Sequence, residues 1–265
     1  MHSKAELVFR NLQLFKEISE YDSRLLELVN YFGWEIGHKA HFCRAFYFDE
    51  YEKTKYEKAK EKLGVTDMQY RIMHQYAYFN RLSPDRNDVF HIYDYILDKI
   101  AKLENNKDLQ IVDFGCGLGQ IGLAFSLGGY RVLFVDIVSE FINFAKYLCE
   151  SRNVTNAEFV IENGESNFKF MDNQNSLIIE WSAFEHIRDP LGQLMEFNRS
   201  LVSGGMILTT SLKKDWNEDL VEHYKKDGGN DIMDRLNSEE INEFIDRNFE
   251  VISFEKSIGK LLIKK

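Results

Sequence analysis

The stretch "VDFGCGLGQIG", residues 112–122, decides how this chain is read. It closes an apolar run, "LQIVDF" at 109–114, and then sets Gly115, Gly117 and Gly119 at every second position. Glycines at that spacing let the backbone turn sharply and approach a bound group with no Cβ in the way. From Gln120 the letters read as a helix that stops at the pair Gly128-Gly129, a left-handed end. Strand, glycine turn and helix follow one another without a linker. Two patterns fit the same letters: a G-x-G-x-x-G beginning at Gly117, and an Asp-x-Gly-x-Gly-x-Gly beginning at Asp113.

Downstream the same texture repeats, with short apolar runs "RVLFVD" (131–136), "EFVI" (158–161), "LIIEW" (177–181) and "GMILTTS" (205–211) separated by amphipathic stretches. Such alternation predicts a parallel sheet covered by helices on both faces. Ser139 is expected to cap a helix burying Phe141, Phe144, Ala145, Leu148 and Cys149. Asp189 and Pro190, an N-cap followed by a first-turn proline, open another that carries Leu194, Met195, Leu201 and Val202. The tail reads as a helix and then "FEVISF" and "GKLLIK", an antiparallel hairpin at the sheet edge. Upstream of about residue 105 the periodicity is helical: Leu7, Leu12, Leu14 and Phe15 share a face, as do Phe90, Tyr93, Ile96, Ile100 and Leu103. The expectation is an α/β protein with a helical cap over 1–105 and a sheet domain over 106–265.

Bulk properties narrow the function. A chain of 265 residues, 44% hydrophobic, is long enough for one large core plus a modest appended region. A net charge of −10 argues against a broad nucleic-acid surface, which needs clustered Lys and Arg. Cys43, Cys116 and Cys149 have neither paired nor metal-binding spacing, which fits a reducing cytoplasm. No run of 18 apolar residues suggests a membrane span, and the N-terminus lacks the apolar centre of a signal peptide.

The two loop patterns imply different cofactors. In a dinucleotide fold, with Asp136 as the ribose acid, the strand runs straight into the first glycine and pyrophosphate sits over the helix N-terminus. Here Asp113 and Gly115 precede Gly117, and a carboxylate beside pyrophosphate is repelled. A ligand with an ammonium and a sulfonium is attracted to it instead. From Ile111 to about Thr210 the chain resembles, element by element, the class I S-adenosylmethionine (SAM) methyltransferases. "VDFGCGLG" resembles their first motif, "FVIENGES" the adenine loop, "WSAFEHIRDP" the segment after strand four, and "NRSLVSGGMILTTS" the helix-to-strand turn before strand five. The resemblance implies a Rossmann-like sheet of about seven strands, mainly parallel with a C-terminal antiparallel hairpin.

It also implies a site. Asp113, Gly115, Cys116, Gly117, Gly119 and Gln120 form the donor loop, Asp136 takes the ribose hydroxyls with Ile137 beside it, and Asn163, Gly164 and Glu165 border the adenine. Trp181 and Ser182 are expected near the transferred methyl group. His186 is the candidate general base, with a plain loop-shaping role as its rival. "FEHIRDP" is similar to ubiquinone-pathway O-methyltransferases, in which a Glu-His pair contributes to a divalent metal site. The further acid of that pattern falls on Ser182, so no metal is predicted. Tyr70, His74, Tyr76, Tyr78 and Phe79 are expected to help line the pocket from the cap, whereas His38, His41 and His91 carry no specific expectation. The expected activity is methyl transfer from SAM, releasing S-adenosylhomocysteine (SAH), to a small polar acceptor. An oxygen of a sugar or of a phosphorylated or nucleotide-linked metabolite is favoured, with no nucleic acid or membrane partner. An NAD(P)-dependent oxidoreductase and a non-catalytic SAM-binding protein are the alternatives.

Overall fold

The computed structural model describes residues 87–103, 109–212, 235–253 and 259–265, with Val8, 27–28, 30–33, 66–69 and 71–72 besides. The aromatic cap positions Tyr70, His74, Tyr76, Tyr78 and Phe79, the histidines His38 and His41, and Cys43 lie outside the described residues. So do Leu7, Leu12, Leu14 and Phe15, and the side chains of Phe90 and His91.

Helix α1 (Asn87–Leu103) leads to β1 (Gln110–Phe114), α2 (Gln120–Leu127), β2 (Arg131–Asp136), α3 (Ser139–Glu150) and β3 (Ala157–Ile161). Then come β4 (Asn175–Glu180), a short 3-10 turn (Phe184–His186), α4 (Pro190–Ser200), β5 (Leu201–Thr209), α5 (Glu239–Asn248), β6 (Phe249–Ser253) and β7 (Lys260–Lys264). The strands form one seven-stranded sheet in the order β3-β2-β1-β4-β5-β7-β6. All pairings are parallel except those of β7, which runs antiparallel to both β5 and β6.

The unbroken apolar runs follow from burial on both faces of this sheet. Because side chains alternate along a strand, Ile111, Val132, Phe134, Leu177, Ile179, Met206, Leu208 and Leu261 join the core under α1, α2 and α3. Val112, Leu133, Val135, Ile178, Ile207 and Leu262 enter the second core with Leu194 and Phe197 of α4 and Ile241 and Ile245 of α5. The edge strand β3 is only partly covered. Residues 27–28 and 30–33 pack against α3 and the turn after it: Tyr31 meets the buried Phe144 edge-on at 4.9 Å and Arg152 pairs with Glu27.

Two local expectations, at the start of α3 and along α4, are corrected, and the left-handed end of α2 is located. Ser139 is the first residue of α3 and makes no capping bond: Val138 holds the cap position, and Ser139 donates to Glu140 instead. The α2 end is left-handed at Gly129 (φ 88°), while Gly128 stays right-handed. On α4 the inward residues are Leu194 and Phe197. Met195 is 48% exposed, and Leu201 and Val202 already belong to β5, because the strand begins where the helix ends. Asp189 does cap α4, accepting from the Gly192 amide at 2.9 Å.

Candidate active site

The strand order reverses between β1 and β4, and ligands of open α/β sheets bind in the crevice at the carboxyl ends of such strands. The glycine loop fills this point. Gly115, Gly117 and Gly119 have φ of 64°, 52° and 70°. At Gly115 a Cβ would also stand 2.4 Å from the Ala183 Cβ, so the loop packs directly on the chain that follows β4. The Cys116 amide donates to Val135 O at 3.0 Å, tying the loop to β2.

Asp136 ends β2 and is 8% exposed. One carboxyl oxygen accepts from the Gly117 amide and the other from the Val138 amide, each at 2.8 Å, so a single side chain pins the glycine loop and the entry of α3. Burial pushes its carboxyl up, while the bonds from Val138, Gly117 and Ile137 pull it down. Ile137, the next residue, is 62% exposed although apolar. Gly164 lies opposite, so near that a Cβ there would stand 3.6 Å from Ile137 Cγ2. Asn163, expected to border the adenine, accepts from the Glu165 amide at 2.9 Å through its side-chain oxygen. That bond fixes the turn and leaves the oxygen a second lone pair.

Asp113 has a different surrounding from the one its motif suggests. It is 4% exposed, and its carboxyl accepts from the Gly122 amide in α2 at 2.9 Å. Burial, and secondarily Asp136, push it up to about 7, against the Gly122 bond. Its motif implies a charge beside a cationic ligand; in the structure the carboxyl turns toward the first turn of α2. Gln120, just beyond the loop, is 4% exposed, and its side-chain Nε2 has no hydrogen-bond partner among the described residues. Burial pushes the Cys116 thiol far up, as does the charge of Asp113 and Asp136.

Across the crevice, the chain after β4 carries Trp181, Ser182 and His186. Trp181 is half-buried against the core under α1 to α3. Ser182 has a φ of 56° and donates its amide to Thr210 Oγ1 at 2.8 Å. A left-handed non-glycine residue is uncommon and is a feature of functional turns. His186 closes the 3-10 turn and is exposed.

Beneath that turn lies a polar group built on two acids, Glu180 and Glu185, to which the sequence assigns no role in the site. Glu180 is fully buried, and accepts from the Ala183 and Phe184 amides at 2.7 and 3.0 Å, from Thr209 Oγ1 and from Ser211 Oγ. Ser211 also meets Glu185, itself 5% exposed. The only trace of this in the sequence is one acid inside "LIIEW" and the hydroxyl run "TTS" ending the next strand. No three His, Cys, Asp or Glu side chains gather as a metal requires among the described residues. No described helix is long and apolar enough to cross a membrane.

Residues 111–205 match the family described as "Methyltransferase domain", and they run from β1 into β5 around this crevice. This segment is similar to a methyltransferase domain. The chain is similar to a ubiquinone biosynthesis O-methyltransferase of Rickettsia bellii, 24% identical over 166 residues, 62% of each chain. It is also similar to an uncharacterized RNA methyltransferase of Bacillus cereus, 36% identical over 87 residues, 33% of this chain and 18% of that one. A SAM-dependent methyltransferase of Methanosarcina mazei superposes with a TM-score of 0.45 at 21% identity, covering 62% of this chain and 94% of that one. The chain thus spans between 18% and 62% of the length of these curated relatives.

Proposed function

We propose that this protein binds SAM in the crevice between the glycine loop and Asp136 and transfers its methyl group to an oxygen of a small polar acceptor. The observation that carries the reading is the buried Asp136 carboxylate, fixed by two backbone amides at the end of β2 and flanked by the exposed Ile137. A carboxylate held in that way suits two ribose hydroxyls, and an exposed isoleucine facing Gly164 suits the flat face of an adenine. The Nε2 of Gln120 is a buried donor with no partner among the described residues; a carboxylate such as that of a methionine moiety satisfies it.

When bound, SAM supplies a methyl group activated on a sulfonium. The chain's own residues then have two tasks. Gly115, Gly117 and Gly119 give a backbone close approach to the donor, and the 181–186 turn faces the acceptor with Trp181, Ser182 and His186. Methyl transfer is an in-line displacement in which positioning supplies much of the rate. An attacking hydroxyl must also lose its proton. In this reading a ring nitrogen of His186 takes it, which its exposed place on the turn permits.

The acidic balance of the chain, −10, favours a small metabolite over a polyanionic nucleic acid, and the O-methyltransferase relative favours oxygen. A sugar hydroxyl, or that of a phosphorylated or nucleotide-linked precursor in a surface-glycan or natural-product pathway, is the acceptor class we propose. Isothermal titration with SAM, SAH and NADH tests the donor. SAM and SAH should bind in the micromolar range and NADH should not; binding of NADH alone overturns the reading. Screening sugar, nucleotide-sugar and RNA acceptors for SAH release then tests the acceptor class, and turnover with RNA only would replace it.

A further inference from the structure

Glu180 and Glu185 present a problem of proton count. Both are buried, at 0% and 5% exposure, and both contact the hydroxyl of one residue, Ser211. The Ser211 Oγ lies 2.9 Å from Glu180 Oε1 and 2.5 Å from Glu185 Oε2. A hydroxyl has one proton to donate. Two oxygen contacts of this length to two ionised carboxylates need two, so whichever carboxyl Ser211 does not serve must bring a proton of its own. Thr209 cannot supply it: its Oγ1 already accepts from the Ser211 and Leu212 amides at 3.1 Å each, so its single proton goes to Glu180 Oε2.

The position of this cluster gives it a consequence. Glu180 Oε1 takes the amides of Ala183 and Phe184, which are the first residues of the turn that ends in His186. Ala183 is also the residue against which Gly115 packs. From the other side Arg235 donates to the carbonyls of Ile187 and Arg188 at 3.1 and 3.3 Å. The turn is therefore held from below by a carboxyl group and from behind by a guanidinium. A buried pair of carboxylates, both charged, would repel across Ser211 and loosen the first of these holds.

We propose that Glu180 and Glu185 share one proton through Ser211, and that this protonated pair is the positioning element that fixes the 181–186 turn at the acceptor side of the crevice. Burial of Glu180, and then the nearness of Glu185, push its carboxyl above the ordinary range, in the direction a shared proton requires. The role rests on the methyltransferase reading only in naming that side the acceptor side. The proton and the rigidity stand apart from it.

The test uses the full chain without ligand. Infrared difference spectra between the wild type and Glu180→Gln, and between the wild type and Glu185→Gln, at pH 8, should each show loss of a protonated-carboxyl carbonyl band. Asp113→Asn, which removes another buried carboxyl of this crevice, should retain that band. Amide exchange at Ala183 and Phe184 should speed by at least about tenfold in Ser211→Ala, the scale of a lost buried hydrogen bond. It should remain near the wild-type rate in Glu185→Gln, whose amide supplies the shared proton permanently. Absence of the band at pH 8, or its loss only with Asp113→Asn, overturns the shared proton. Unchanged exchange in Ser211→Ala overturns the positioning role. Failure of the protein to bind SAM would sink the methyltransferase reading and leave both of these readouts as they are.

Discussion

At the scale of single residues, Asp136 and Asp113 share a crevice and differ in task. Asp136 offers its carboxylate at the strand end while also holding the Gly117 and Val138 amides. Asp136→Ala should therefore weaken SAM binding by at least about tenfold in titration and also lower the melting temperature, since two partly buried amides lose their acceptor. Asp113 makes its mark on pH dependence. Its folded carboxyl is raised from 3.8 to about 7, so the folded chain holds that proton more tightly than the unfolded one. Its contribution to stability is fully present below about 4 and is lost as pH rises through about 7. Asp113→Asn has no charge to bury, so its melting temperature relative to wild type should improve from pH 5 to pH 8, as scanning fluorimetry would read. No relative change over that interval would mean the carboxyl ionises without cost, and a relative decline that its ionised form is favoured in the fold. For His186, alanine should leave SAM titration unchanged and lower methyl transfer at least about a hundredfold if the imidazole is the base; normal turnover would leave it a loop residue.

Among the elements, α2 shows how tightly the loop is seated. Gly122 lies inside this helix, where alanine is ordinarily favoured by about 1 kcal/mol. Here a Cβ would stand 2.4 Å from Phe134 Cε1 and 2.8 Å from Asp113 Oδ2. Phe134 is fully buried and stacked on Phe159 at 5.0 Å, so it has no room to yield. Overpacking of about 1–3 kcal/mol outweighs the helical gain, and Gly122→Ala should lower the urea midpoint. The cap of α4 is simpler. Asp189→Ala removes the acceptor of the Gly192 amide and should cost about 1 kcal/mol, measured by the same denaturation. That cap was legible in the letters Asp-Pro. The start of α3 was not: the serine in its first turn drew the expectation, whereas the bond at that end comes from Asp136, two residues before the cap, and only the folded strand end brings it there.

For the molecule as a whole, β7 closes the sheet between β5 and β6, and Leu262 on it is fully buried among α4 and α5 side chains. Leu262→Ala should cost about 2–5 kcal/mol by loss of transfer energy and the cavity left behind. Met171→Ala, at a site 71% exposed, should change stability by no more than about 0.5 kcal/mol. The sequence by itself determined the sheet, because strands buried on both faces must be apolar at every position, and runs such as "RVLFVD" admit no helical period. It also determined the glycine loop, since only glycine takes three left-handed turns in five residues without strain. What only the tertiary structure decided is where the acids point. Asp113, Asp136, Glu180 and Glu185 are alike as letters. Asp113 faces α2 and Asp136 the glycine loop, while Glu180 and Glu185 meet beneath the turn after β4. Those partners lie between 9 and 31 residues away along the chain, and they meet only because β1 pairs with β2, β4 pairs with β5 and α2 folds back onto β1.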